Sequence, residues 1–173
     1  MSIERLSAAQ VDALRPELSA LLIDAVDGGA SVSFLAPLAR EAAGAYWQGV
    51  GAEVASGTRA VFVATVERQI AGCVHLAIAG QPNARHRAEI QKLLVHSAYR
   101  RRGLATALMA AAEEEAQRLG RSLVVLDTEQ ESHAERLYER LGYHRAGVIP
   151  QFAASSSGDL HGTVLFYKQL GLG

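Results

Sequence analysis

Cysteine is almost missing from this sequence. Cys73 stands alone, which excludes an internal disulfide, and its place in an apolar run reads as a small buried side chain. Charge of one sign is missing too. Seventeen Lys and Arg face eighteen Asp and Glu, a net charge of −1, so no basic field draws the chain to nucleic acid or to an anionic membrane. No run of about 20 apolar residues is present, so no membrane span is expected. The N-terminus lacks the basic-then-apolar order of a signal peptide, and a soluble cytoplasmic protein is the expectation. The six histidines (75, 86, 96, 133, 144 and 161) show no His-x-x-x-His or Cys/His ligand spacing, so no metal is assigned. Repeats, linkers and low-complexity tracts are absent as well. The 173 residues suit one domain, 1–173, with a full core.

What is present is an ordered series of strand and helix signals. Ile3–Leu6 reads as a short strand, and Ser7-Ala-Ala-Gln10 as a cap for the next element. Pro16 to Val26 places Leu18, Leu21, Leu22 and Val26 on one helical face, and Gly28-Gly29 stops it. Pro37 opens a second helix from about Leu38 to Ala55. Strands at Arg59–Val66 and Gln69–Ala79, with Glu67-Arg68 between them, read as a hairpin. Gly80–Asn83 is a loop before a strand at Ala88–Val95. A helix from Gly103 to about Leu119 ends at Gly120. Ser122–Leu126 is a short apolar strand, as expected when both faces are covered. Ser132–Leu141 is helical. Tyr143–Val148 and Thr163–Tyr167 close the sheet, with a polar Ser/Gly-rich loop, Gln151–Leu160, between them. The expected architecture is α+β: a mixed, mostly antiparallel sheet of about seven strands with about four helices.

Residues 87–107 hold the strongest signal. An apolar strand runs into a basic loop, Arg100-Arg101-Arg102, then Gly103, and an Ala-rich helix begins at once. Free amides and the positive end of the helix dipole gather there. Gly103 lets a ligand approach the backbone, and the arginines suit phosphate. The physical reading is a pyrophosphate cradle. The loop lacks the Gly-Lys-Ser/Thr ending of a P-loop and the three spaced glycines of a dinucleotide fingerprint.

The pattern Arg100-x-x-Gly103-x-Ala105 resembles the (Gln/Arg)-x-x-Gly-x-(Gly/Ala) signature of the GCN5-related N-acetyltransferases (GNAT). A second stretch, Ala134-x-x-Leu137-Tyr138-x-x-Leu141-Gly142-Tyr143, resembles the helix motif after the fifth strand in the same enzymes. The resemblance covers roughly residues 59–168. Several other segments are similar to the tabtoxin-resistance acetyltransferases over nearly the whole chain. These are Gly29–Phe34, Pro82-Asn83, Arg87–Lys92, Leu126-Asp127-Thr128-Glu129 and Leu160-His161. That likeness implies a small amine acceptor, amino-acid-like or β-lactam-containing, and a role in antibiotic or toxin resistance. A protein or peptide acceptor, and a non-catalytic acyl-CoA-binding module on the same fold, stay open as alternatives.

The resemblance implies acetyl-CoA as co-substrate and is compatible with a homodimer, which no sequence feature shows. It assigns the cradle to Arg100, Arg101, Arg102, Gly103, Leu104, Ala105 and Thr106. Glu131 occupies the place where many members carry an Asn that contacts the pantetheine arm, and neighbouring Ser132 is the polar substitute. Tyr138 matches the tyrosine that protonates the leaving thiolate. Transfer also needs a neutral amine. Deprotonating an alkylamine of pKa near 10 at pH 7 costs roughly 4 kcal/mol, so a carboxylate must take the proton. Glu89 and Asp127 are the candidates. Glu89 is expected to share a strand face with Gln91 and Leu93; its alternative is a surface charge. Asp127 ends an apolar strand where such sheets place their crevice; its alternative is a cap for the next helix. Backbone amides at Leu94 and Val95 are expected to meet the oxyanion if the strand splays there. Ser31, Phe34 and Trp47 are the candidate acceptor-lining residues, with core packing as the competing reading for Tyr46 and Trp47. His96 and His161 read as surface residues. With no Gly-x-Ser-x-Gly elbow and Cys73 outside both motifs, direct transfer is expected.

Overall fold

Ser7 accepts a hydrogen bond from the Gln10 amide at 3.3 Å, and the Gln10 side chain accepts one from the Ser7 amide at 2.8 Å. This reciprocal cap turns the first strand (β1, Ser2–Arg5) into a short helix (α1, Ala8–Ala13). Pro16 lies in the first turn of α2 (Arg15–Asp27), and Gly28 and Gly29 end it. Helix α3 spans Arg40–Ala55. It starts three residues after Pro37, later than the sequence pattern suggests. Strands β2 (Arg59–Val66) and β3 (Gln69–Ile78) meet at Glu67 and Arg68, whose φ values of 50 and 67 match the twist of a tight hairpin. Next come β4 (Arg87–Val95), α4 (Leu104–Arg118), β5 (Leu123–Glu129), α5 (His133–Arg140), β6 (His144–Ala154) and β7 (Leu160–Gln169). The computed structural model describes residues 1–155 and 158–171.

The seven strands form one sheet in the order β1-β2-β3-β4-β5-β7-β6. Every pairing is antiparallel except β4 with β5. Strand alternation sorts side chains onto two faces. Ala60, Phe62 and Ala64 of β2 face the cluster that holds Leu104, Leu108 and Met109 of α4 and Tyr138 of α5. Val61 and Val63 face a second cluster built on Val11, Leu18, Leu22, Ala43 and Trp47 of α1, α2 and α3. The architecture is the expected α+β one, with five α-helices among the described residues where about four were expected.

The expected loop at Gln151–Leu160 is largely strand instead. β6 runs on to Ala154 and β7 starts at Leu160; residues 156–157 of that segment lie outside the described residues. Pro150 does not break β6 because it lies in the register break between Ile149 and Ala153 of the sheet's edge strand, where its missing N–H costs no ladder bond.

Two irregularities in β4 shape everything near the site. First, β4 and β5 pair only at Arg87↔Leu123, Ala88↔Val124 and Glu89↔Val125; beyond Glu89 the pairing stops. Second, the register with β3 passes from His75↔Gln91 to Cys73↔Leu94. Val74 alone therefore opposes Lys92 and Leu93, a β-bulge, and Lys92 takes φ 50. A one-residue insertion exchanges the faces of every later residue in the strand. Leu93 and Val95 join Ala88 and Ile90 against the α4 cluster, while Leu94 packs with the α1–α3 cluster. The expectation that Leu93 shares a face with Glu89 is thus corrected by the bulge.

Candidate functional site

The open seam between β4 and β5 leads to the start of α4. Gly103 sits there at φ 80 as the N-cap, with no side-chain cap bond. The first helical bond runs from the Ala107 amide to the Gly103 carbonyl at 3.1 Å, so the amides of Leu104, Ala105 and Thr106 have no helical acceptor. The turn before it is anchored from α2. Asp24 accepts bonds from the Ser97 amide at 2.8 Å and the Ser97 hydroxyl at 2.7 Å. Burial opposes ionisation of Asp24, but the Ser97 bonds outweigh it and hold its carboxyl below the usual range. His96 stands 3.8 Å from the same carboxylate, half-buried.

The three arginines differ. Arg100 reaches back, its Nε donating to the Val95 carbonyl at 3.4 Å. Arg101 is exposed with φ 62. Arg102 lies 5.4 Å from the centre of the Tyr99 ring. Successive amides along a strand alternate direction. The His96 amide donates to Ala71 on β3, so the Val95 amide points the other way, toward the open seam.

Tyr138 projects from α5 into the α4-side cluster and is 6% exposed. It packs against Tyr143 and Phe166, each with ring centres 5.9 Å away. Burial, with the Asp127 carboxylate second, raises its phenol above the ordinary range and keeps it protonated. Ser132 is half-buried, with its hydroxyl 3.2 Å from that of Thr128. Glu131 takes φ 64 and its amide bonds to Glu135.

Asp127 does not cap a helix. It lies within β5, exposed, and accepts a 2.8 Å bond from the Thr163 hydroxyl of β7. Glu89 is half-buried and accepts from Gln91 Nε2 at 2.8 Å. Strand alternation puts both carboxylates on the α1–α3 face of the sheet. That face also holds a polar network the sequence reading missed. Arg59 bonds to Gln91 at 2.8 Å, to His75 Nδ1 at 3.3 Å, and pairs with Glu53. His75 is fully buried, and burial, then Arg59 and Lys92, hold its imidazole well below the usual range and neutral. Tyr46 stacks on His75 with ring centres 6.3 Å apart, and its hydroxyl lies 3.4 Å from His75 Nδ1. A polar histidine in the middle of an apolar strand was the one signal available.

Phe34 meets Tyr46 edge-on at 5.4 Å, which brings the 28–39 loop over this face. Ser31 lies half-buried in that loop. Trp47 takes a different place from the one expected of a lining residue. It is 1% exposed and packs edge-on against Tyr46 and His75 at 5.5 and 5.1 Å, so it backs the aromatic wall from within the core. His161 is partly exposed, 3.6 Å from Glu129. Cys73 is buried, with its thiol pushed up to about 12 by burial. No helix among the described residues is long and apolar enough to cross a membrane.

Solved structures share this fold at low identity. A ribosomal-protein-alanine N-acetyltransferase from Brucella melitensis is 22% identical, over 98% of this chain and 100% of that one, with a TM-score of 0.78. The yncA protein of Salmonella typhimurium, solved with its cofactor acetyl-CoA, is 21% identical over 99% of this chain and 94% of that one, also at 0.78. A provisional phosphinothricin N-acetyltransferase is 18% identical over 98% of each chain, at 0.76. The acetyltransferase (GNAT) family model matches residues 32–143, most of the chain and both motif regions, and the protein belongs to that family of acetyltransferases.

Proposed function

We propose that this enzyme moves an acetyl group from acetyl-CoA directly to the primary amine of a small, amino-acid-like molecule, with the tabtoxin-resistance acetyltransferases as the nearest functional parallel. The observation that carries the reading is the seam itself. It joins an uncapped helix start to a sheet face bearing two carboxylates. The amides of Gly103, Leu104, Ala105 and Thr106, with Arg100, Arg101 and Arg102, fit a diphosphate. Leu94, Val95 and Ser132 border the route along which the pantetheine arm would lie. Bound acetyl-CoA supplies an acetyl group activated as a thioester.

The chain's own groups have separate tasks. Glu89 or Asp127, directly or through a water, takes the proton from the arriving ammonium and releases its lone pair. The Val95 amide donates a hydrogen bond to the carbonyl oxygen as negative charge develops on it. Tyr138, held protonated, donates its phenolic proton to the departing sulfur. Ser31 and Phe34 line the acceptor side, with Trp47 supporting the wall behind Tyr46.

A protein N-terminus is the second reading, favoured by the Brucella neighbour's stated activity. An acceptor screen decides between them: free CoA is measured with common amino acids, small amines, the tabtoxin-derived β-lactam amino acid and N-terminal peptides. Turnover of small amino acids but not peptides is expected. Calorimetry should show acetyl-CoA binding; no binding would remove the enzymatic reading altogether.

A further inference from the structure

On the α1–α3 face, the half-buried Lys92 has no anionic partner among the described residues, and unlike exposed Arg87 it is turned under the 28–39 loop. Arg59 is committed to Glu53, Gln91 and His75. Lys92 Nζ donates to the Ser33 hydroxyl at 3.1 Å and stands 5.8 Å from the centre of the Tyr46 ring. It forms no ion pair with a described carboxylate. It is also half-buried, so part of its hydration is gone. Burial, with Arg59 second, lowers its pKa, while Asp127 and Glu89 pull the other way.

Its placement is a product of the bulge. Ala88 and Ile90 point to the α4 cluster, and unbroken alternation would send residue 92 there too. The bulge instead turns Lys92 toward Ser33 and Tyr46. It does so at φ 50, a left-handed conformation unusual for a long side chain and one that persists where the surroundings enforce it. Ser33 is left-handed as well, at φ 73.

We propose that Lys92 and Ser33 form an anion subsite that holds a carboxylate carried by the acceptor. The inference rests on the small-molecule reading above and names the class of that molecule. An acceptor amine arrives as an ammonium. Glu89 and Asp127 complement it, whereas Lys92 repels a simple monocation. A zwitterion satisfies both halves of the face, its ammonium toward the carboxylates and its carboxylate toward Nζ and the Ser33 hydroxyl. A peptide N-terminus carries a neutral amide where a free amino acid carries its α-carboxylate.

N-acetylglycine and N-acetylglycinamide, which differ only in the carboxylate, isolate the subsite. Their binding is followed through the fluorescence of Trp47, the chain's single tryptophan. N-acetylglycine is expected to bind at least tenfold more tightly. Lys92→Met should abolish that preference, Lys92→Arg should keep most of it, and Ser33→Ala should reduce it. Acetyl-CoA affinity should be unchanged in all three, which also reports that they fold. Equal binding of the two probes, no binding of either, or an unchanged preference in a folded Lys92→Met protein would overturn the subsite. The screen for CoA release fails separately: peptide turnover unaffected by Lys92→Met sinks the small-molecule reading whatever the probes show.

Discussion

Two glycines near the seam are constrained for opposite reasons. A Cβ on Gly72 would lie 2.7 Å from the Leu94 carbonyl oxygen and 3.2 Å from Leu108 Cδ1. The first contact is with backbone and cannot rotate away, so β4 must move. Gly72→Ala should cost about 1–3 kcal/mol in denaturant unfolding and weaken acetyl transfer. A Cβ on Gly103 would meet open space, but the residue holds φ 80. Gly103→Ala should cost only about 1–2 kcal/mol, with Asn milder than Ala. Tyr138 poses a chemical question at the same scale. Its ring packs with Tyr143 and Phe166, and Phe preserves that packing. Tyr138→Phe should therefore leave acetyl-CoA affinity within a few-fold and lower kcat about 10²-fold. Unchanged kcat would take Tyr138 out of the reaction.

The loop at 29–39, which leaves out Gly28 beside the Arg100 guanidinium, is the element that covers the α1–α3 face of the sheet. Phe34 meets Tyr46 and Ser33 meets Lys92. Exchanging it for the equivalent loop of another family member should change which amines are acetylated, seen in a ranked acceptor panel, while calorimetry gives the same acetyl-CoA affinity. Elements like α4 were legible because punctuation marked them: Gly103 before, Gly120 after, and apolar residues between. The β2–β3 hairpin was legible from two β-rich apolar runs on either side of Glu67-Arg68. The bulge at Lys92 was not, because one inserted residue leaves local composition unchanged and shows only against the partner strand. The extension of β6 through Pro150 was hidden for a related reason. A proline and a polar tail argue against a central strand, and only topology shows β6 to be an edge. The Arg59–His75–Gln91 network draws on three strands, so no spacing in the chain announces it.

For the molecule as a whole, His75 sets a pH dependence. It is neutral in the folded protein and titrates near its ordinary 6.5 once unfolded. Below that pH the unfolded chain binds the extra proton, so folding stability falls as pH drops from 6.5 toward the depressed folded value. Between pH 7 and pH 5 this group should remove up to about 2 kcal/mol. Urea melts of the wild type and His75→Gln at both pH values test it. The expected result is a smaller pH difference in the variant, and equal differences would assign the acid sensitivity elsewhere.

The three-pair contact between β4 and β5 makes this sheet two half-sheets stitched at one end, four strands against three. In the unstitched part β4 keeps its ladder to β3 and β5 its ladder to β7, but the amides facing the seam have no strand partner among the described residues. A ligand threaded between the halves would supply the missing rungs of the ladder. Acetyl-CoA should then slow deuterium uptake at 91–95 and 126–129 far more than along β1 or β6, and raise the melting temperature in step with its concentration. In that sense the co-substrate completes the architecture as well as the chemistry.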